Sequence, residues 1–175
     1  MSYSVTQNAT FLTAASVLQR IISFTYFIFI ARAVGVDNTG QYFFAIAFTS
    51  IFTVVADFGL NSVLTREASR RENELTNFAN TVFWTKILFG IISYGLVVLF
   101  ANLLNYPVSL KHLIFLSGIT MFLDNIHSTF YSLFRASKNL LYEAVGIVGS
   151  QFLTLLIGGA ALFLKWPLYW LILAY

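Results

Sequence analysis

Between Tyr42 and Ala56 the chain carries no charged side chain, and extending the stretch to Leu64 adds only Asp57. As a helix this run of about 23 residues is roughly 35 Å long at ~1.5 Å per residue, enough to cross a hydrocarbon layer ~30 Å thick. Arg66, Arg70 and Arg71 follow at once, the composition expected of a short cytoplasmic loop. A helix satisfies its own backbone hydrogen bonds, so lipid is a solvent in which such a run is stable without a polar face.

The pattern recurs along the chain. Apolar segments cover about 10–34, 41–64, 76–103, 112–134 and 141–164, and a sixth starts near 168. Gly35 suits the end of the first segment, with Asp37 or Asn38 as caps of the second. Pro107 stops the third. The stretch from Leu168 to Tyr175 makes only ~12 Å of helix, less than half a crossing, so the chain is expected to be the N-terminal part of a longer protein. Arg20, the run Ile21–Ile30 and the triplet Ala31-Arg32-Ala33 imitate a secretory signal. The twenty preceding residues are not a short basic region, however, and the run reads as a retained crossing.

Composition agrees. Charged residues make up 10% of the chain, against ~25% in ordinary soluble domains. Nineteen Phe in 175 residues exceed what one soluble core of this size hides. The fold class expected is all-α, a polytopic transmembrane helix bundle. The net charge of +3 comes from residues scattered between apolar runs, which does not make a nucleic-acid surface. With no cysteine there is no disulfide framework, thiolate nucleophile or cysteine metal site. Cytoplasmic placement of the N-terminus puts Arg66, Arg70, Arg71, Arg135 and Lys138 inside, with Arg32, Lys111 and Lys165 outside. That charge bias favours an N-terminus in the cytoplasm and a multi-pass protein of the cell membrane.

Four ionisable residues fall within the crossings: Arg20, Asp57, Lys86 and Asp124. A charge at the bilayer centre costs roughly 2.5–3.5 kcal/mol on insertion scales, so each is expected to face protein or a polar cavity. On straight helices Arg20 and Asp124 share mid-membrane depth, while Asp57 and Lys86 share the cytoplasmic half. At least one of these two pairs should meet. Asp57 also has a plainer role open to it, holding the end of its segment. Polar residues recur on one face in three segments. They are Thr13, Ser16, Arg20 and Ser23; Ser50, Thr53, Asp57 and Asn61; and Ser117, Thr120, Asp124, His127, Ser128 and Tyr131. Three such stripes suggest a shared hydrated interior, although Ser and Thr also serve as polar glue between membrane helices. Gly146, Ser150, Thr154 and Gly158 repeat every four residues and read as a packing ridge.

Enzyme signatures are missing. His112 and His127 are too far apart for a zinc-binding pair, and no phosphate-cradling GxxxxGK[ST] is present. No metal site and no cofactor are expected. The sequon Asn8-Ala9-Thr10 falls on the expected cytoplasmic side and reads as chance.

An arginine in the middle of the first crossing, then ARAVGVDNTGQYFFAIAF, then VVADFGLNSVLTREASR, resembles the polysaccharide-biosynthesis membrane proteins. These are the O-antigen and teichuronic-type flippases of the multidrug/oligosaccharidyl-lipid/polysaccharide superfamily. Helix order is similar throughout, and the motifs are specific over roughly 20–71, with weaker echoes at Lys86 and in FRASKNLLYEAVG. The resemblance implies a carrier with two pseudo-symmetric lobes around a central cavity, of which this chain is most of the first lobe. It implies as partners a lipid-linked oligosaccharide substrate, membrane lipid and the missing C-terminal lobe. It further implies Arg20 and Lys86 as contacts for pyrophosphate or acidic sugars in a cationic cavity. A cation-coupled drug antiporter of the same superfamily would instead use Asp57 or Asp124 for its coupling ion. A non-transporting scaffold of a glycan-synthesis complex would need no cavity.

Overall fold

The computed structural model describes residues 5–69, 75–137 and 140–174. Arg70, Arg71 and Lys138, which carry much of the expected loop charge, lie outside the described residues. Among the described residues the chain is helical throughout, with no strand: α1 Val5–Asp57, α2 Leu60–Ala68, α3 Leu75–Leu103, α4 Val108–Ala136, α5 Leu140–Phe163 and α6 Tyr169–Ala174.

α1 is not one rod. Gly35 takes φ 80° and ψ 171° in its middle, a conformation that only glycine adopts cheaply. The rings of Phe27 and Phe43 lie 5.2 Å apart, whereas sixteen residues of straight helix would separate them by ~24 Å. The chain therefore folds back at Gly35, and α1 is a hairpin of two arms. The polar turn expected over 35–40 is shorter than the sequence suggests, because helix resumes directly after Gly35. Neither Asp37 nor Asn38 acts as the expected cap. Asn38 Nδ2 donates back to the Val34 carbonyl at 3.0 Å, and Asp37 accepts from Gln41 Nε2 at 3.1 Å. Thr39 Oγ1 donates to the Gly35 carbonyl at 2.6 Å. The turn's polar side chains thus serve carbonyls that the end of the first arm leaves unpaired.

A second correction concerns the crossing expected over 41–64. It ends at Asp57, where Phe58 (φ 44°) and Gly59 (φ 78°) break the helix. The remainder belongs to the short α2. Among the described residues four helices are long and apolar enough to cross a membrane, and because α1 turns back on itself it supplies two of the passes. Their outer faces are apolar and exposed at helical spacing. Examples are Ile51 and Val54 on α1, Leu88 and Ile91 on α3, and Leu153 and Leu156 on α5. That is the surface a lipid solvent selects.

α1 packs against α3, α4 and α5: its second arm meets α4 at Thr49 and α3 at Phe52, and its first arm meets α5 at Tyr26. Tyr26, Ile30, Tyr42 and Ala45 of α1 meet Val97, Ala101, Ile114, Leu171 and Ile172 in one core. Elsewhere the helices close on one another by laying aromatic rings over glycines. Tyr26 lies over Gly158 and Tyr131 over Gly146, each too close for an added Cβ. Two members of the glycine ridge on α5 thus do the packing expected of them. Gly159, by contrast, has nothing within 4 Å of an added Cβ. Gly158→Leu should therefore cost about 1–3 kcal/mol by overpacking and lower the unfolding temperature of the detergent-solubilised protein. Gly159→Leu should leave it within error of the parent.

Candidate functional site

Two polar assemblies stand out, and each draws on a different edge of the sequence stripes. The first is closed. Lys86, in the middle of α3, is 1% exposed. Its ammonium donates to Asn61 Oδ1 at 2.8 Å, the Asn125 carbonyl at 2.8 Å and Ser128 Oγ at 3.0 Å. Those three acceptors use all the donors an ammonium has. Asp57 Oδ1 lies 3.1 Å away without hydrogen-bond alignment, and so acts as the counter-charge.

The helix break at 58–59 makes this arrangement possible. It ends α1 at Asp57 and lets α2 bring Asn61 to the same ammonium. Asn61 Nδ2 donates to Ser128 Oγ at 3.0 Å and its Oδ1 also accepts from Ser132 Oγ at 3.1 Å. Asn125 Nδ2 donates to the Ala56 carbonyl at 3.1 Å, in the last turn of α1, where carbonyls lack helical partners. One lysine on α3 thereby ties α1, α2 and α4 together. Of the two expected charge pairs, Asp57 with Lys86 forms. Asp57 is the last residue of α1.

The second assembly is open. A cavity of about 310 Å³ lies between α1, α4 and α5, and twelve of its fourteen lining residues are polar. The first arm of α1 contributes Gln19 and Ser23, and the second arm Thr49, Ser50 and Thr53. α4 contributes Ser117, Thr120, Asp124 and His127, and α5 contributes Ser150, Gln151 and Thr154. At the floor Thr49 and Ser117 share a 2.9 Å hydroxyl contact that pins α1 to α4. Around the wall Ser50, Thr120 and Ser150 each donate to a carbonyl three residues earlier, of Ala47, Ser117 and Ile147. A back-bonded hydroxyl has spent its proton but keeps acceptor lone pairs. Gln19 and Gln151 add amides that both donate and accept. The wall is therefore rich in neutral hydrogen-bonding groups, with Asp124 the one carboxylate.

The expected site residues separate between these assemblies. Asp124 faces the cavity, its side chain 81% exposed, with His127 Nδ1 at 3.9 Å. Lys86 and Asp57 are committed to each other and are not part of the wall. Arg20 is exposed and lies one residue beyond Gln19 without joining the wall, since successive helix positions point ~100° apart. The expected contact between Arg20 and Asp124 does not form among the described residues, because Asp124 turns toward His127 instead.

The ridge on α5 was read as packing alone, and that needs amending, since Ser150 and Thr154 line the cavity between the two packing glycines. Gln19 and Gln151 were missed, although Gln19 precedes Arg20 and Gln151 follows Ser150. Glu143 was missed too. It is fully buried at the start of α5 and grips Arg135 through its Nε and Nη2. Nearby, Asn8 Oδ1 accepts from the Leu140 amide at 3.2 Å. The asparagine of the apparent sequon is thus a buried structural residue.

Lys86→Ala should lower stability by about 3 kcal/mol, the low end of the ~3–5 kcal/mol range for breaking a buried pair, because Asp57 is partly exposed. Thermal unfolding in detergent, with the exposed Thr81→Ala as control, measures it. Combining Lys86→Met with Asp57→Ala should cost less than the two single changes added together.

A family model described as polysaccharide biosynthesis protein matches residues 5–175. No curated protein and no solved structure gives a match.

Proposed function

The chain belongs to the polysaccharide biosynthesis protein family, and from that premise we propose that it moves lipid-pyrophosphate-linked oligosaccharide across the cell membrane. On this reading it forms the N-terminal lobe of a longer carrier, with its N-terminus in the cytoplasm, and performs no covalent chemistry. The observation that carries the proposal is the cavity wall between α1, α4 and α5, lined by hydroxyls, amides and one carboxylate. Sugar hydroxyls both donate and accept, and such a wall offers them partners in both senses at many positions. Ile46 and Met121 are the two wholly apolar side chains in that lining.

Within this reading Asp124 accepts from sugar hydroxyls. Arg20, exposed one residue beyond Gln19, is free to meet acidic sugars with a planar fork suited to carboxylate oxygens. Lys86 and Asp57 contribute indirectly, by holding the α1–α2 junction against α4.

One observation favours a second reading. Asp124 beside His127 is an exposed carboxylate on a polar cavity, as a cation-coupled antiporter requires of its ion site. Asp124→Asn separates the two: sugar export that loses its ion dependence supports coupling, and export with unchanged ion dependence supports simple sugar contact.

In the full-length protein, Ser150→Trp should reduce surface glycan at least roughly tenfold by filling the cavity, with protein level unchanged. Leu153→Trp, placed on the exposed apolar face of the same helix, should export normally. Equal export from both variants would favour the scaffold reading, in which no cavity is needed.

A further inference from the structure

A second pocket, of about 390 Å³, opens between α2 and the end of α4 and is lined by Asn61, Ser62, Thr65, Arg66, Ser69 and Arg135. It takes no part in the cavity wall, although Asn61 is shared with the Lys86 assembly. Its chemistry is opposite in sign to that of the cavity, with two guanidinium groups and no carboxylate in its lining.

The two arginines are held differently. Arg135 is oriented by Glu143, which is wholly buried behind it. Those contacts occupy Nε and Nη2 and leave Nη1 without a partner among the described residues. Arg66 bonds through Nε to Glu67 at 3.2 Å, an exposed contact that costs little to rearrange. Among the described residues both of its terminal nitrogens are unpartnered. Thr65 and Ser69 have spent their protons on the carbonyls of Asn61 and Arg66, so the donors come from Arg66, Arg135 and Ser62. The pocket lies toward the C-terminal end of α2, where the helix dipole opposes an anion with about half a charge. Two full positive charges outweigh it.

We propose that this pocket binds a phosphate group of a lipid headgroup and, on the transport reading above, the pyrophosphate of the lipid-linked sugar. The placement suits that division of labour. His127 on the cavity wall and Arg135 at the pocket are eight residues apart on α4, about 12 Å along its axis. A substrate with its sugar in the hydroxyl-lined cavity sets its phosphates against the arginines. Planar, multi-donor guanidinium groups match phosphate oxygens better than a lone ammonium does.

The test uses the full-length protein in nanodiscs of a phosphate-free galactolipid, with inorganic pyrophosphate as one probe and added phosphatidic acid as the other. Calorimetry reads the first and native mass spectrometry counts the second. Arg66→Gln should weaken binding roughly tenfold or more. Arg135→Lys, which keeps the charge beside Glu143, should weaken it less. Arg32→Gln should leave it unchanged. Saturable pyrophosphate binding lost in Arg66→Gln assigns the pocket to the substrate headgroup, and loss of phosphatidic acid alone assigns it to a bound phospholipid. Either result supports a phosphate site. Failure of both probes to bind, or equal binding by the parent and Arg66→Gln, overturns it, as does equal weakening in Arg32→Gln. Because glycan export is measured separately, pyrophosphate binding without export would leave the pocket standing while removing the transport reading.

Discussion

The ammonium of Lys86 is the group on which the arrangement depends. A buried charge is tolerated only when its hydrogen bonds are complete and a counter-charge is near. Here completion requires parts of three other helices at once. α1 must end where Asp57 reaches the ammonium, α2 must begin where Asn61 does, and α4 must present the Asn125 carbonyl and Ser128. The break at Phe58 and Gly59, which looks like a defect in a membrane helix, is what meets those conditions. The bundle uses the exposed ends of α1 and α2 as ligands for a cation.

Gathering the charge in one place leaves the remaining polar residues free to form the cavity. Thr49, Ser117 and their neighbours satisfy one another or their own helices, so the wall costs little in the absence of a substrate. The bundle thus has a closed polar centre at α1, α2, α3 and α4, and an open, hydroxyl-lined cavity beside it at α1, α4 and α5. A glycine ridge on α5 closes the second by packing against Tyr26 and Tyr131.

Much of this could be read from the chain. Apolar runs with arginines at their ends gave the membrane class and the helix order, and matched depth paired Asp57 with Lys86. Spacing placed Thr120, Asp124 and His127 on one face, and all three line the cavity. What could not be read depends on rotation and on partners distant in sequence. Arg20 shares its stripe with Ser23, but a straight-helix periodicity does not say where that stripe's edge falls, and Gln19 takes the wall position. Glu143 has no signal in the sequence, because its partner Arg135 lies across a loop and only the fold sets the two together. The short break at 58–59 was hidden because an apolar run reads the same whether or not its helix is continuous.

The central claim is that the polar stripe on α4 lines an aqueous path while the apolar face beside it, about a quarter-turn round the helix, meets lipid. The chain has no cysteine, so single cysteines along α4 can be tested in the intact membrane with a small water-soluble thiol reagent. The account predicts reaction at positions 120, 124 and 127 and protection at 119, 123 and 130, where Ile119, Leu123 and Phe130 are exposed on the apolar face. Equal reaction at both sets, or protection at all six, would contradict it.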